Sequence, residues 1–286
     1  MTGFVLFAFV FGAGLTLFVC VARLRVRQPI AAARATALTA SFVGLTLLAW
    51  WLATRGATIE QRMVAPLILP SPSEVLAAFP RLHFEQELVR SIGVSFMRVT
   101  AGFLLAAIVA IPLGVYMAAF TGVAAFFQPL ALVGAYVPIV VFVPLTLVWF
   151  GLTEMQKVGF LFIGCLVALL PLVIKSISDV ATAYVEVATT KGASQWQIVR
   201  HVLVPVALAD IWDHLRSVYG VGWGWIILAE VVNGERGLGY LISISERRGH
   251  TAAMFAVIIV IVLIAIASDR VWRLAGNLLF PYRANS

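Results

Sequence analysis

The chain has 286 residues, of which 62% are hydrophobic and only 12% are charged, and its mean hydropathy is +1.02. Soluble proteins carry about 25% charged residues, so the charges here are too few to cover a soluble domain of this size. The formal net charge is +7, but the 20 Lys and Arg residues are scattered between apolar runs, which argues against nucleic acid as a partner. The composition predicts an integral membrane protein that has lipid as part of its solvent.

The apolar runs predict about seven membrane-spanning helices, because a helix needs roughly 20 apolar residues to cross the hydrocarbon core. No charged residue lies between Arg98 and Glu154. That run is too long for one crossing and is predicted to form two helices, with a break within 120–127 at Thr121-Gly122. The other predicted spans are Met1–Ala22, Ala35–Thr54, Val158–Ile174, a segment from after Pro205 through Ala229, and Thr251–Ser268. The predicted fold class is an all-α, polytopic membrane helix bundle.

The loop that follows the first apolar run predicts the orientation of the chain. It contains four basic residues and no acidic one, namely Arg23, Arg25, Arg27 and Arg34. Short loops rich in Lys and Arg face the cytoplasm. The N-terminus is therefore predicted to lie outside, and seven crossings place the C-terminus in the cytoplasm. Met1–Ala22 lacks the basic start of a secretory signal, so it is predicted to be a retained span.

A long polar loop separates the second predicted span from the rest of the chain. It runs from Arg55 to Arg90 and contains four prolines, which oppose a continuous helix. Apolar residues then recur at three- and four-residue spacing from Leu88 to Val99, which predicts a helix lying at the membrane interface. These features divide the chain into N-terminal spans (1–60), an external loop with the interfacial helix (61–97) and a core (98–281).

Motifs for catalysis or metal binding are missing from the sequence. The four histidines are far apart, Cys20 and Cys165 both lie in apolar runs, and no G-x-x-x-x-G-K-[ST] phosphate loop occurs. The glycines at 220, 222 and 224 do not complete a dinucleotide fingerprint, because position 225 is Trp. We therefore predict that the chain is not an enzyme and holds no metal or cofactor of its own.

The cytoplasmic loop Asp179–Pro205 predicts two short helices with a hinge at Gly192. Residues 183–191 favour a helix, Gly192 can adopt the left-handed conformation that ends it, and Ser194 can cap a second helix through Val204. An apolar edge on the second helix comprises Trp196, Val199, Val202 and Leu203. Such a knob is suited to dock into a groove on a soluble partner; packing on its own bundle is the alternative interpretation.

At this loop the sequence resembles the membrane subunits of bacterial ABC importers. Their pattern is Glu-Ala-Ala, three residues, Gly, nine residues, and then Ile, any residue, Leu-Pro. Here Glu186-Val187-Ala188 precedes Gly192 at that spacing, and Val202-Leu203-Val204-Pro205 follows it. The departures from the pattern are small or aliphatic residues.

Further segments resemble the branch of that family that imports nitrate, taurine, alkanesulfonates and similar small anions. They are Leu69-Pro70-Ser71-Pro72, Ser95-x-x-Arg98, Ile111-Pro112-Leu113-Gly114, Val137-Pro138, Pro144, Trp149-Phe150-Gly151 and Gly237-Leu238-Gly239-Tyr240. Tyr136 and Ile139 depart from the branch, which often has Arg and Pro there. The first span is additional to the usual six.

The resemblance implies a type I ABC importer core in the inner (cytoplasmic) membrane, with one extra N-terminal span. It implies two permease copies, cytoplasmic ATPase subunits that bind ATP and Mg, and an external substrate-binding protein. The loop 178–205 would couple ATP hydrolysis to transport. Its candidate coupling residues are Glu186, Ala188, Gly192, Trp196 and Pro205.

Intramembrane charges and helix breaks are the guides to a translocation path. Pro138 and Pro144 are predicted to interrupt the fourth span, Trp149 and Phe150 to form an outer gate, and the two arginines to attract an anion. The candidate path residues are Arg98, Pro138, Pro144, Trp149, Phe150, Arg216 and Glu230.

The leading hypothesis from the sequence is a permease subunit for a small anion of the sulfonate, taurine, nitrate or bicarbonate type. One alternative is a permease subunit of the same kind of ATP-driven importer with a neutral heterocyclic cargo. A secondary transporter and a membrane-embedded enzyme are the others, but the sequence shows neither internal repeats nor converging catalytic groups.

Overall fold

The computed structural model describes residues 30–56 and 58–283, and every regular element within them is helical. The α-helices in chain order are α1 (Ala32–Thr54), α2 (Pro72–Phe84), α3 (Leu88–Ala119), α4 (Thr121–Tyr136), α5 (Phe142–Phe150), α6 (Glu154–Ser178), α7 (Thr182–Thr190), α8 (Gln195–Ile198), α9 (Val204–Asn233), α10 (Leu238–Arg247) and α11 (Thr251–Leu279). A π-helical turn, Val199–Leu203, joins α8 to α9, and 3₁₀ turns occur at Ile59–Gln61, Ile139–Val141 and Pro281–Arg283. The prediction of an all-α fold is confirmed.

Five helical segments in the described ranges are long and apolar enough to cross a membrane: α1, α3, α6, the continuous run Gln195–Val232, and α11. They match the spans predicted near 35–54, 98–120, 158–174, 205–229 and 251–268. The predicted span Met1–Ala22, Cys20 and the first three arginines of the next loop lie outside the described residues.

The fourth predicted span is two shorter helices, α4 and α5. The break at Thr121 is confirmed, since α3 ends at Ala119 and α4 begins at Thr121. Pro138 also separates helices as predicted, because it lies between α4 and the 3₁₀ turn before α5. The prediction that Pro144 interrupts a helix was wrong, because Pro144 lies in the first turn of α5. Residues of a first turn do not need an N–H for the hydrogen bonds within the helix, so proline is tolerated there.

The predicted interfacial helix is the first part of α3, which continues without a break to Ala119. Its three- and four-residue spacing marks a face that is largely buried in protein: Leu88, Ser95 and Val99 are covered, whereas Phe96 is 46% exposed. The spacing alone does not distinguish a protein-covered face from a membrane interface, because both require the same apolar stripe.

The described chain forms two compact units, residues 30–86 with 244–257 and residues 87–243 with 258–283. The domain boundaries that we expect at 60 and 97 stay a prediction. In the first unit, Trp50 Nε1 donates a hydrogen bond to the Pro70 carbonyl (2.8 Å), and Thr251 Oγ1 donates one to the Leu67 carbonyl (3.0 Å). These bonds hold the polar loop after α1 against helical neighbours of the same unit.

The Leu-Pro-x-Pro segment folds into the start of α2. Ser71 is the N-cap and forms a capping box with Glu74, and Pro72 occupies the first turn. The Glu74 carboxylate accepts hydrogen bonds from the Ser71 N–H (2.8 Å) and from Arg62 Nη1 (2.9 Å). These donors, the backbone N–H foremost, lower the pKa of Glu74 below its ordinary value of 4.5, because they stabilise the ionised form.

This capping box predicts a pH-dependent stability of the first unit. A lowered pKa contributes stability that is present above the unfolded-state pKa and is lost as the pH falls through the folded-state value. We expect Glu74→Gln to lower the melting temperature in detergent at pH 7, and the difference from the wild type to shrink below pH 4.5. Glu85→Gln in the exposed Arg81 pair is the control. A difference for Glu74→Gln that does not vary with pH would contradict this account.

The second unit is built on the close approach of α3 and α6. A Cβ at Gly102 would lie 2.4 Å from Leu161 Cβ, and one at Gly114 would lie 2.7 Å from Val173 Cγ1. Membrane helices associate through small residues that let backbones approach. The two glycines, twelve residues apart on α3, therefore fix its packing against α6.

Candidate coupling loop and buried ion network

The loop between α6 and α9 contains the hinge that the sequence predicts. Helix α7 ends at Thr190, and Gly192 has a left-handed backbone with φ +78°. The N–H of Gly192 donates to the Thr189 carbonyl (2.9 Å), and that of Ala193 donates to the Ala188 carbonyl (3.0 Å). Glycine closes the helix here because it adopts positive φ without steric cost.

Ser194 caps the second helix, also as predicted. Its Oγ accepts a hydrogen bond from the Gln197 N–H (3.4 Å), and the Gln197 side chain accepts one from the Ser194 N–H (2.8 Å). The predicted end at Val204 was wrong, because the helix continues through the π-helical turn into α9. The next residue, Pro205, has no N–H, and the Val204 N–H bonds to the carbonyl of Val199, five residues back. Because a proline lacks the N–H that a regular helix uses, Pro205 was the sequence signal that the hydrogen-bond pattern changes here.

The two halves of the loop differ in how exposed their residues are. None of the α7 residues is buried, so Glu186 is exposed and Ala188 only partly covered, and Gly192 and Pro205 are exposed as well. The predicted apolar edge of the second helix divides: Val199 is buried, whereas Trp196 is 52% exposed and stacks on Tyr116 of α3 with ring centroids 6.1 Å apart. Helix α7 is thus exposed, whereas the second half of the loop is held against α3.

A network of charged side chains lies inside the second unit, centred on Arg98 of α3. Its Nε and Nη2 donate to the two carboxylate oxygens of Glu154 (2.6 and 2.5 Å). Its Nη1 donates to Glu230 Oε1 (2.8 Å) and to the Arg236 carbonyl (2.7 Å). Lys157 Nζ lies 3.4 Å from Glu154 Oε1. All three nitrogen atoms of the guanidinium therefore donate hydrogen bonds.

Glu230 is the fully buried member of this network. Besides Arg98, its carboxylate accepts hydrogen bonds from Ser95 Oγ (2.8 and 2.9 Å) and from the Gly239 N–H (2.8 Å). Ser95 Oγ in turn accepts one from the Leu238 N–H (2.9 Å). The carboxylate thus binds the Gly239 N–H directly, and the Leu238 N–H through Ser95, at the start of α10, where negative charge is favoured.

Two glycines make room for this carboxylate. Gly237 has φ +118°, and a Cβ there would lie 2.4 Å from Glu230 Oε1; one at Gly239 would lie 2.6 Å from Glu230 Cβ. The segments Ser95-x-x-Arg98 and Gly237-x-Gly239, which the sequence analysis noted separately, are therefore parts of one structure.

The other candidate path residues lie elsewhere. Pro138, Pro144, Trp149 and Phe150 are exposed along α5 and the turn before it, with Trp149 58% exposed. Arg216 forms ion pairs with Asp213 (3.6 Å) and Asp269 (3.2 Å). Of the seven candidates, the structure brings only Arg98 and Glu230 together. Their assignment to a translocation path stays a prediction.

Sequence reasoning did not select Glu154 and Lys157 as site residues. Glu154 ends the long uncharged run and Lys157 follows three residues later. Charged residues beside an apolar run are candidates for intramembrane function. Their position at the end of this run was therefore the sequence signal that could have identified Glu154 and Lys157.

Comparison with known proteins identifies the family. Residues 110–276 match the family model of the binding-protein-dependent transport system inner membrane component. A putative ABC transporter permease of Methanocaldococcus jannaschii is 33% identical, over 76% of this chain and 84% of that protein. The taurine transport system permease protein of Escherichia coli is 27% identical, over 91% of this chain and 94% of that protein.

The fold agrees with a solved transporter. An inward-facing crystal form of the MetNI methionine ABC transporter superposes with a TM-score of 0.58 at 20% identity, over 65% of this chain and 94% of that chain. The predictions of an ABC importer permease and of a membrane helix bundle are confirmed. The chain belongs to the family of binding-protein-dependent transport system inner membrane components and is a multi-pass inner-membrane permease subunit.

Proposed function

We propose that this permease subunit couples ATP hydrolysis in partner subunits to the passage of a small anion, of the sulfonate, taurine, nitrate or bicarbonate type. The observation that carries the coupling is the loop 178–205: an exposed helix, α7, is hinged at Gly192 to α8, and α8 is continuous with the long helix α9. The sequence holds no phosphate loop, so ATP and Mg are assigned to the ATPase subunits.

The loop connects its exposed helix α7 to several helices of the bundle. Helix α7 follows α6 after a short turn, while α8 continues into α9 and contacts α3 through the Trp196–Tyr116 stack. A partner that moves α7 therefore acts on three helices of the bundle. The π-helical turn at 199–203 leaves a local break in the regular hydrogen-bond ladder at which α9 can bend.

The anion cargo is supported by the taurine transport relative and by the buried Arg98. In this proposal two permease copies form the path, the N-terminus lies outside, the C-terminus lies in the cytoplasm, and an external substrate-binding protein delivers the cargo. The exposed apolar face of α5, with Val148 and Trp149, supports a second copy, since such a face requires lipid or protein cover.

The test is purification of the tagged chain from its native host in mild detergent, with partners identified by mass spectrometry and ATPase activity measured. We expect a stoichiometric ATPase to co-purify, and Gly192→Trp or Glu186→Arg to remove it. Space around Gly192 is open, so the bulky side chain faces the partner and not the bundle.

Gly249→Trp is the matched control, because Gly249 also has positive φ and open space around it but lies in the connection before α11. Its ATPase should co-purify normally. A wild-type chain that elutes without an ATPase, or a Gly192→Trp chain that keeps full ATP-driven uptake, would contradict the coupling role.

A further inference from the structure

Arg98 binds two carboxylates that differ greatly in exposure. The side chain of Glu230 is fully buried, whereas that of Glu154 is 65% exposed; the side chain of Arg98 itself is 5% exposed. One guanidinium edge is thus fixed in the protein interior by Glu230 and the Arg236 carbonyl. The other edge, Nε and Nη2, is covered only by a carboxylate that solvent reaches.

Arg98 and its exposed partner Glu154 both line a cavity. A space of about 740 Å³ is lined by Arg98 and Glu154 together with Met97, Val158, Glu235 and Arg236, among other residues. Its size is suited to a small organic ligand. The paired Nε and Nη2 donors form the planar fork that binds carboxylate, sulfonate or phosphate oxygens with two parallel hydrogen bonds.

The charges of the network are balanced only while Glu154 is bound. Arg98 and Lys157 supply two positive charges, and Glu230 supplies one negative charge; all three side chains are at most 5% exposed. The buried part therefore carries a net charge of about +1 when Glu154 swings away, which is unfavourable without a counter-ion. A monoanion in the cavity restores the balance.

Glu154 is placed so that it can leave. It is the first residue of α6, and the turn before it contains Gly151 at φ +65°. Rotation of its exposed side chain requires no change in the backbone. The vacated position lies beside the N-terminal turn of α6, where the helix dipole also favours an anion.

We propose that Glu154 occupies, as an internal substitute, an oxyanion-binding site formed by Arg98 and Lys157, and that a small monoanion such as a sulfonate or nitrate displaces it. The inference rests on the proposed anion cargo and extends it to a defined site. Glu154 then neutralises the two cations until cargo of the right charge and geometry arrives.

The test measures direct binding to the purified permease–ATPase complex, with ethanesulfonate, methanesulfonate and nitrate as the three probes, by equilibrium dialysis or calorimetry. We expect Glu154→Gln to bind at least one probe about tenfold more tightly than the wild type, because the competing carboxylate is gone. Adding Lys157→Met to Glu154→Gln should abolish that gain. Glu235→Gln is the matched control, since Glu235 lines the same cavity but is not one of the carboxylates bound to Arg98.

Two results would overturn the proposal. One is a Glu154→Gln complex that keeps the wild-type melting temperature and binds all three probes no better than the wild type, which would make the pair purely structural. The other is an equal gain in Glu235→Gln, which would reflect the general charge of the cavity. Neither result affects the co-purification of the ATPase or its loss in Gly192→Trp, so failure of this site is distinct from failure of the coupling role.

Discussion

Glu230→Ala is expected to destabilise the bundle by about 3–5 kcal/mol, the usual cost of removing one partner from a buried ion pair. The change leaves Arg98 Nη1 with only the Arg236 carbonyl, and it removes the acceptor for Ser95 Oγ and the Gly239 N–H. We expect a large fall in melting temperature in detergent and early proteolysis of the Gly234–Gly237 connection, because Arg98 binds the Arg236 carbonyl within it and Glu230 binds the Gly239 N–H just after it.

The matched control is Glu154→Ala, which removes the exposed carboxylate from the same arginine. This variant keeps the fully buried pair of Arg98 and Glu230 and removes only the carboxylate that solvent reaches, so it should lose clearly less stability than Glu230→Ala. Equal losses in both variants would show that Glu230 is no more important to the fold than a surface charge, and would contradict the role assigned to its burial.

Gly102→Ala is expected to destabilise the bundle by about 1–3 kcal/mol, the typical cost of overpacking a close contact. The new Cβ would lie 2.4 Å from Leu161 Cβ and 3.0 Å from the Val158 carbonyl oxygen. These atoms belong to the α6 backbone or are attached directly to it, so α3 and α6 have to move apart. The melting temperature of the permease–ATPase complex measures the effect.

Gly93→Ala, also in α3, is the control for intrinsic helix propensity. A Cβ at Gly93 meets nothing within 4 Å, so the replacement should stabilise the helix by up to about 1 kcal/mol. The two substitutions are chemically identical and should have opposite signs. A destabilising Gly93→Ala, or a neutral Gly102→Ala, would contradict the contact that the structure shows.

Taken together, these variants separate three functions of neighbouring groups. Glu230 fixes the start of α10, Gly102 fixes the distance between α3 and α6, and Glu154 controls access to Arg98. The first two predict effects on stability. The third predicts an effect on anion binding with a smaller effect on stability than that of Glu230.

The sequence by itself determined the features that depend on local chemistry. Long apolar runs set the spans, because the hydrocarbon core requires them. The hinge at Gly192 and the cap at Ser194 also follow from local rules, since positive φ and unpaired N–H groups at a helix start are satisfied within a few residues. The spacing from Glu186 to Pro205 likewise indicated the family.

The tertiary structure alone decided which charges meet. Arg98 lies 56 residues from Glu154 and 132 residues from Glu230, and no periodicity in one helix specifies partners on others. The same holds for the burial of the first part of α3, which its spacing could not distinguish from contact with the membrane interface. Local sequence patterns determine the helices. The pairing of buried charges depends instead on which helix faces the tertiary structure brings together. Once these faces meet, the charges are removed from water, and an unpaired buried charge would be strongly unfavourable.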